Sequence, residues 1–258
     1  MRREYTYEEY NRAMKLLNMG IGITTVSREL GIPKSTLHYW RHNKHKPILT
    51  RWTPEPSKEL AYIIGVLLGD GNLHFHTYNY DIELEVKDYE FAETFSRAVT
   101  NVLDKEYRKP IWSRSHNLWR VYYSSKAFHI WFRKQDLEKL KQYIEYDKDT
   151  VKYFLRGIYD SEGSNYRCRW ISLVNNNLEL LHYVQYLLKK YFGIKTIGPY
   201  LKVRAGSIMI KDGRRFRRKV DVYILKIYRK RDIQVFLSQV GFSIREKQLG
   251  LPRRKKQL

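Results

Sequence analysis

The chain has 258 residues, 43% of them apolar, with 49 Lys and Arg against 27 Asp and Glu, a formal charge of +22. Its 22 Tyr and 6 Trp exclude a disordered chain, and no apolar run approaches the roughly 18 residues of a membrane span. The single Cys168 excludes internal disulfides and any multi-cysteine zinc site.

A positive excess of this size, interleaved with Tyr and Trp, points to nucleic acid, where cations meet phosphates and flat rings pack on sugars or bases. Met1-Arg2-Arg3-Glu4-Tyr5 lacks the apolar core of a signal peptide. An intracellular, soluble protein is expected, cytoplasmic in a prokaryote, with an organelle or nucleus left open.

Residues 6–17 read as a helix. Thr6 and Glu9 form a capping box, and Tyr10, Ala13, Met14 and Leu17 share a face. Thr24 to Leu30 reads as a second helix stopped by Gly31, and Pro33 opens a third through Ser35, Leu37, Tyr39 and Trp40. This is the pattern of a helix-turn-helix, expected over residues 1–46 as a small all-α domain. It offers Lys34, Ser35, Thr36, His38, Tyr39 and Arg41 to a DNA major groove. His38, His42 and His45 have helical spacing but no nearby carboxylate or cysteine, so they read as solvated or phosphate-facing. Residues 47–57, with three prolines, read as a linker.

An apolar helix then runs from Ser57 or Lys58 to Asp70-Gly71. Two alternating strands follow around Leu73–Tyr78 and Ile82–Lys87, then a helix capped by Asp88, then strands Pro110–Ser115 and Leu118–Ser124 and a helix Lys126–Arg133. From about Asp149 the order recurs: a helix, a strand Arg169–Val174, a helix capped by Asn177, long strands Tyr200–Ile210 and Val220–Tyr228, and a helix Arg231–Val240. Domain-sized halves are therefore expected at 58–147 and 148–244, with 245–258 as a basic tail. Between Lys202 and Arg231 stand 12 Lys or Arg against Asp212 and Asp221. Arg214, Arg215, Arg217 and Arg218 fall at a hairpin tip that suits a duplex backbone.

The two first helices carry one motif twice. Gly65, Gly69, Asp70 and Gly71 are answered by Gly157, Ser161, Glu162 and Gly163, each 92 residues later. Small residues four apart let two helix backbones approach closely, and parallel pairing about a pseudo-twofold axis would bring Asp70 and Glu162 side by side. Carboxylates at helix C-termini repel each other and the helix dipole, and divalent cations relieve that repulsion. Carboxylates and the carbonyls of Gly69 and Ser161 are the hard oxygen donors magnesium takes, suited to metal-assisted phosphodiester hydrolysis.

These residues resemble the paired signature of the LAGLIDADG homing endonucleases in their single-chain, two-repeat form, over about residues 58–242. Leu68 departs from the signature where Asp160 keeps it. The resemblance implies an α+β fold of two pseudo-symmetric αββαββα units with saddle-shaped antiparallel sheets, beside the helix-turn-helix domain. It implies a monomer that cleaves both strands of a DNA target, using two or three Mg2+ at Asp70 and Glu162, with Mn2+ able to substitute. Lys87, Asn175 or Asn176, Lys126 and Lys230 match the family's polar residues around the metals. Outward strand residues would contact DNA: His74, His76, Tyr78, Glu83, Glu85, Arg114, Arg120, Tyr122, Lys202, Arg204 and Lys226. A non-catalytic DNA-binding regulator of the same fold, or a maturase acting on intron RNA, are the alternatives.

Overall fold

The computed structural model describes residues 5–44, 49–50, 52–76, 79–211 and 214–252. The chain begins with β1 (Tyr5–Thr6), α1 (Tyr7–Asn18), α2 (Ile23–Leu30), α3 (Lys34–Arg41) and β2 (Leu49–Thr50), where β2 pairs in parallel with β1. Thr6 caps α1 as expected: its hydroxyl accepts from Glu9 N at 3.1 Å, and its own N–H donates to the Glu9 carboxylate at 2.9 Å. Ala13, Leu17, Val26, Leu37 and Trp40 bury one face of each helix in a common core with Tyr5 and Ile32.

The first half then runs α4 (Lys58–Leu67), β3 (Asn72–His76), β4 (Asn79–Val86), α5 (Tyr89–Leu103), β5 (Ile111–Ser113), β6 (Leu118–Ser124), α6 (Lys126–Arg133) and α7 (Leu137–Ile144). The second runs α8 (Lys148–Glu162), β7 (Gly163–Tyr166), β8 (Trp170–Asn175), α9 (Leu178–Phe192), β9 (Ile197–Val203), β10 (Ile208–Lys211), β11 (Arg214–Arg217), β12 (Val222–Ile227) and α10 (Lys230–Val235). A π turn at Phe236–Val240 and a short α11 (Arg245–Gln248) are the last described elements. The two four-stranded sheets have matching orders, β3-β4-β6-β5 and β7-β8-β12-β9. Each places the second strand of its sheet, in chain order, beside the last, as a repeated unit requires.

Packing divides the chain into two compact units. One compact unit is Met1–Pro54 with Leu73–Ile82 and Tyr122–Lys134; the other is Glu55–Asn72, Glu83–Val121 and Gln135–Leu258. Within the first, the segment read as a linker is anchored, because the Trp52 ring packs on Phe128 and Trp131 of α6 at 5.0 and 5.2 Å between centroids. Glu9 of α1 also pairs with Lys126 of α6. Aromatic burial and a charge pair thus fasten the N-terminal helices to part of the first half.

Two further differences concern the second half. The expected strand Tyr200–Ile210 is broken: β9 stops at Val203, the chain turns at Gly206 with φ +85°, and among the described residues β10 pairs only with β11, as a separate ribbon. Within the stretch expected as a basic tail, Arg245–Gln248 form α11 and Lys247 is buried.

Candidate active site

The site grows from the contact between α4 and α8, both in the second unit. A side chain on Gly65 would collide with the Phe154 carbonyl and stand 2.9 Å from Ile158 N; one on Gly157 would collide with the Tyr62 carbonyl. A Cβ on Gly69 would lie 2.5 Å from Ser161 Cβ and 3.2 Å from Glu162 Cγ. The helices therefore pack backbone to backbone and in parallel, with positions 65 and 69 facing 157 and 161. Buried Ile63, Ile64, Val66, Leu155 and Ile158 keep water from this seam.

Asp70 and Glu162 emerge where the seam ends. Asp70 is exposed and Glu162 half-buried. Burial pushes the Glu162 carboxyl above its ordinary pKa and the Asp70 charge pushes it the same way, while Lys247 opposes both. Two acids within reach of each other's charge, on adjoining helix ends, form a site that favours a cation. Gly69 and Ser161 stand one residue before the acids, and the Ser161 hydroxyl is spent inside α8, donating to Gly157 O at 3.1 Å. Among the described residues no cluster of three or more His, Cys, Asp or Glu could hold a metal ion. The donor set fits magnesium, which commonly takes one or two carboxylates and fills the rest of its shell with water and substrate phosphate.

Behind the acids lies a buried polar cluster. Asp160 accepts from Tyr62 Oη across the seam and from Ser243 N, both at 2.9 Å, and burial raises its carboxyl to about 6. Lys247 of α11, 7% exposed, donates its ammonium to the carbonyls of Tyr159 and Asp160 at the end of α8. Asn165 Nδ2 in turn donates to Lys247 O at 2.8 Å. Lys247 lies outside both copies of the repeated motif; its signal in the sequence is its place between the apolar residues Phe242, Ile244 and Leu249.

The other expected catalytic residues differ in their surroundings. Lys87 and Lys230 are exposed. Asn175 is half-buried and its Oδ1 accepts from Asn177 N at 2.8 Å, which sets the entry to α9; Asn176 is exposed. Lys126 departs from expectation. It is 2% exposed, donates to Glu9 Oε2 at 2.6 Å, and sits over the rings of Tyr5 and Tyr80. An ammonium so engaged is not free to order an attacking water, so in this structure Lys126 is a fastening residue.

The expected DNA contacts divide likewise. Lys34, Ser35, His38, Tyr39 and Arg41 are exposed on α3 and Thr36 is half-buried. His74, Arg114, Lys202 and Arg204 are exposed, and Tyr122 is half-buried. Glu83 is a correction: it lies on the outward face of β4 yet is only 7% exposed, because Arg120 from β6 covers it in an ion pair. Arg120 and His116 also reach Glu85, at 3.5 and 3.2 Å. In the second sheet Lys226 lies between the rings of Trp170 and Tyr200, 6.0 and 5.7 Å from their centroids. Arg215, Arg217 and Arg218 are on or beside β11, the first two exposed. The side chains of His76 and Arg214, and all of Tyr78, lie outside the described residues.

Comparison with known proteins agrees with this architecture. Residues 149–241 match the family model described as a LAGLIDADG-like domain. The uncharacterized protein MJ0398 of Methanocaldococcus jannaschii is 32% identical over 227 residues, 86% of this chain and 81% of that protein. A second uncharacterized protein of that organism, MJ0314, is 34% identical over 137 residues, covering 49% of this chain and 51% of that one. Among solved structures, the homing endonuclease I-DmoI in complex with DNA and Mn superposes with a TM-score of 0.51 at 19% identity, covering 72% of this chain and 98% of that one. At that identity the likeness shows the fold.

Proposed function

We propose that this chain, which belongs to the LAGLIDADG family, is a site-specific endonuclease that hydrolyses both strands of a DNA target with divalent cations at the joined ends of α4 and α8. The observation that carries the reading is the backbone-tight seam that ends in Asp70 and Glu162. A buried seam of this length could be closed with apolar or capping residues, and acids are poor choices at a helix C-terminus. Placing two there is costly to the fold and useful to a metal.

Asp70, Glu162 and the carbonyls of Gly69 and Ser161 would hold the cations. Magnesium or manganese bound there would supply a Lewis acid for the phosphodiester and for the attacking water. Lys87 and Lys230 stabilise negative charge developing on the scissile phosphate, and Asn175 or Asn176 orients water. Arg120, held by Glu83 and Glu85, reads a guanine edge, while exposed Lys202 and Arg204 meet phosphates. The residues of α3 extend the contact through a helix-turn-helix. No helix among the described residues is long and apolar enough to cross a membrane.

The test is cleavage of a plasmid carrying the sequence that flanks the gene's own insertion point. Wild-type protein with Mg2+ is expected to nick and then linearise it, and EDTA to stop it. Asp70→Asn and Glu162→Gln should each lower the rate by at least about 100-fold while leaving DNA binding intact. Cleavage that survives the double substitution sinks the proposal. Binding with no cleavage by the wild type would instead point to a DNA-binding regulator, and a splicing assay on intron RNA addresses the maturase alternative.

A further inference from the structure

The β10–β11 ribbon lies outside both four-stranded sheets and exposes an unusual set of side chains. Ile208 and Ile210 are each 69% exposed. Residues two apart on a strand share a face, and antiparallel partners share it too. The register pairs Ile208 with Arg217 and Ile210 with Arg215, so one face alternates isoleucine and arginine. Met209 and Phe216, also exposed, pair on the other face. The ribbon's base is fixed: Gly206 N donates to Arg218 O at 2.8 Å, Arg218 N to Ser207 O at 3.0 Å, and Ala205 N to Asp221 Oδ1 at 2.7 Å. Two-stranded ribbons alone are marginal in water, and this one spends its apolar side chains on solvent. Such a surface is built to be covered.

The charge around it decides the occupant. With 12 Lys or Arg against two Asp between residues 202 and 231, a second copy would bring like charge onto like charge. A polyanion fits. We propose that the ribbon is a minor-groove wedge for duplex DNA: Ile208 and Ile210 press between base steps while Arg215 and Arg217 lie in the groove's negative potential. The inference rests on the reading of this chain as a DNA-binding protein. Side chains two residues apart are about 7 Å apart along the strand, close to two base steps of about 3.4 Å. Isoleucine is stiff at χ1, so its tip does not fold away under load. In a major groove two aliphatic tips would cover base edges that need hydrogen bonds, with thymine methyls as the exception. Between minor-groove steps they replace lost stacking and bend the duplex.

The experiment uses the full chain and a duplex that the wild type selects from a randomised library, end-labelled so that energy transfer reports bending. Wild type should bend it. Ile208→Ser/Ile210→Ser should lose the bend and bind about tenfold more weakly, with an unchanged dependence of affinity on salt. Arg215→Gln/Arg217→Gln should lower the salt slope by about 2. Both pairs are solvent-facing, and circular dichroism confirms that the variants fold. A bend that survives the serine substitutions overturns the wedge. So does a loss reproduced by replacing thymine with uracil, which marks major-groove contact. Isoleucine-dependent binding to phosphatidylserine vesicles with no effect on DNA bending overturns it in favour of a membrane surface. A wild type that shifts no duplex fails the DNA reading itself, a different outcome from binding without an isoleucine-dependent bend.

Discussion

Lys247 occupies the place where a helix end most needs a cation. The last carbonyls of α8 concentrate partial negative charge, Glu162 adds a full one, and Asp70 stands beside it. The ammonium of Lys247 answers the carbonyls through hydrogen bonds to Tyr159 O and Asp160 O, and its charge favours the ionised Glu162. The end of α4 has a different arrangement, closed by its own backbone with Gly71 N donating to Val66 O at 2.9 Å. Replacing Lys247 by Met removes charged hydrogen bonds to Tyr159 O, which keeps the Gly163 N–H, and to Asp160 O, so Lys247→Met is expected to cost about 2–3 kcal/mol in urea unfolding. A loss well under about 1 kcal/mol would show that water replaces the ammonium and that the lysine is incidental. Asp70 and Glu162 were legible in the sequence because they end a motif that occurs twice. Lys247 was not, because its role is fixed by carbonyls more than eighty residues away and its neighbours read as a charged tail.

The α4–α8 seam is the element on which the rest depends, and its tolerance is narrow. A methyl group at position 157 has no room to shift, since the obstacle is the Tyr62 carbonyl in a neighbouring backbone. Gly157→Ala should therefore destabilise the protein by at least about 3 kcal/mol by denaturant titration, and it should weaken cleavage by displacing Glu162 from Asp70. α6 carries a second test. His129 is buried, and burial together with the Arg133 charge lowers its pKa below the ordinary 6.5, with Asp81 working against them. The unfolded chain takes up a proton there that the fold resists. Stability is thus full above a pH of about 6.5 and falls as the pH drops below it. His129→Phe should flatten the acid side of the unfolding midpoint between about pH 7 and 5; an unchanged profile would assign the acid sensitivity elsewhere. Local signals predicted the elements well where the chemistry is local, as in the Thr6–Glu9 capping box, the αL stop at Gly31 and the Asn177 cap of α9. They missed the break after β9, because continued alternation reads as one strand and only pairing partners show that β10 leaves the sheet. They also took Lys126 for a free cation, since nothing near it in sequence announces Glu9.

At the scale of the whole molecule, the excess of positive charge is a statement about counterions. Each phosphate neutralised by Lys or Arg releases condensed cation from the duplex, and affinity falls with salt by a slope of about 0.9 per phosphate. The chain offers cations on two surfaces far apart in sequence: Lys34 and Arg41 on α3, and Arg215 and Arg217 on β11. If both surfaces engage one duplex at once, Lys34→Gln/Arg41→Gln should lower the slope by about 2, the β11 pair by about 2, and all four by about 4. Additive slopes need simultaneous contact. If α3 binds DNA only when the four-stranded sheets do not, or does not bind it, its substitutions leave the slope of the specific complex unchanged. Joining two modest surfaces raises affinity through effective concentration with no new contact, and the gain vanishes when both cannot engage together. A salt titration of the four proteins on one selected duplex therefore decides whether the N-terminal helices lengthen the recognised site or serve a separate partner.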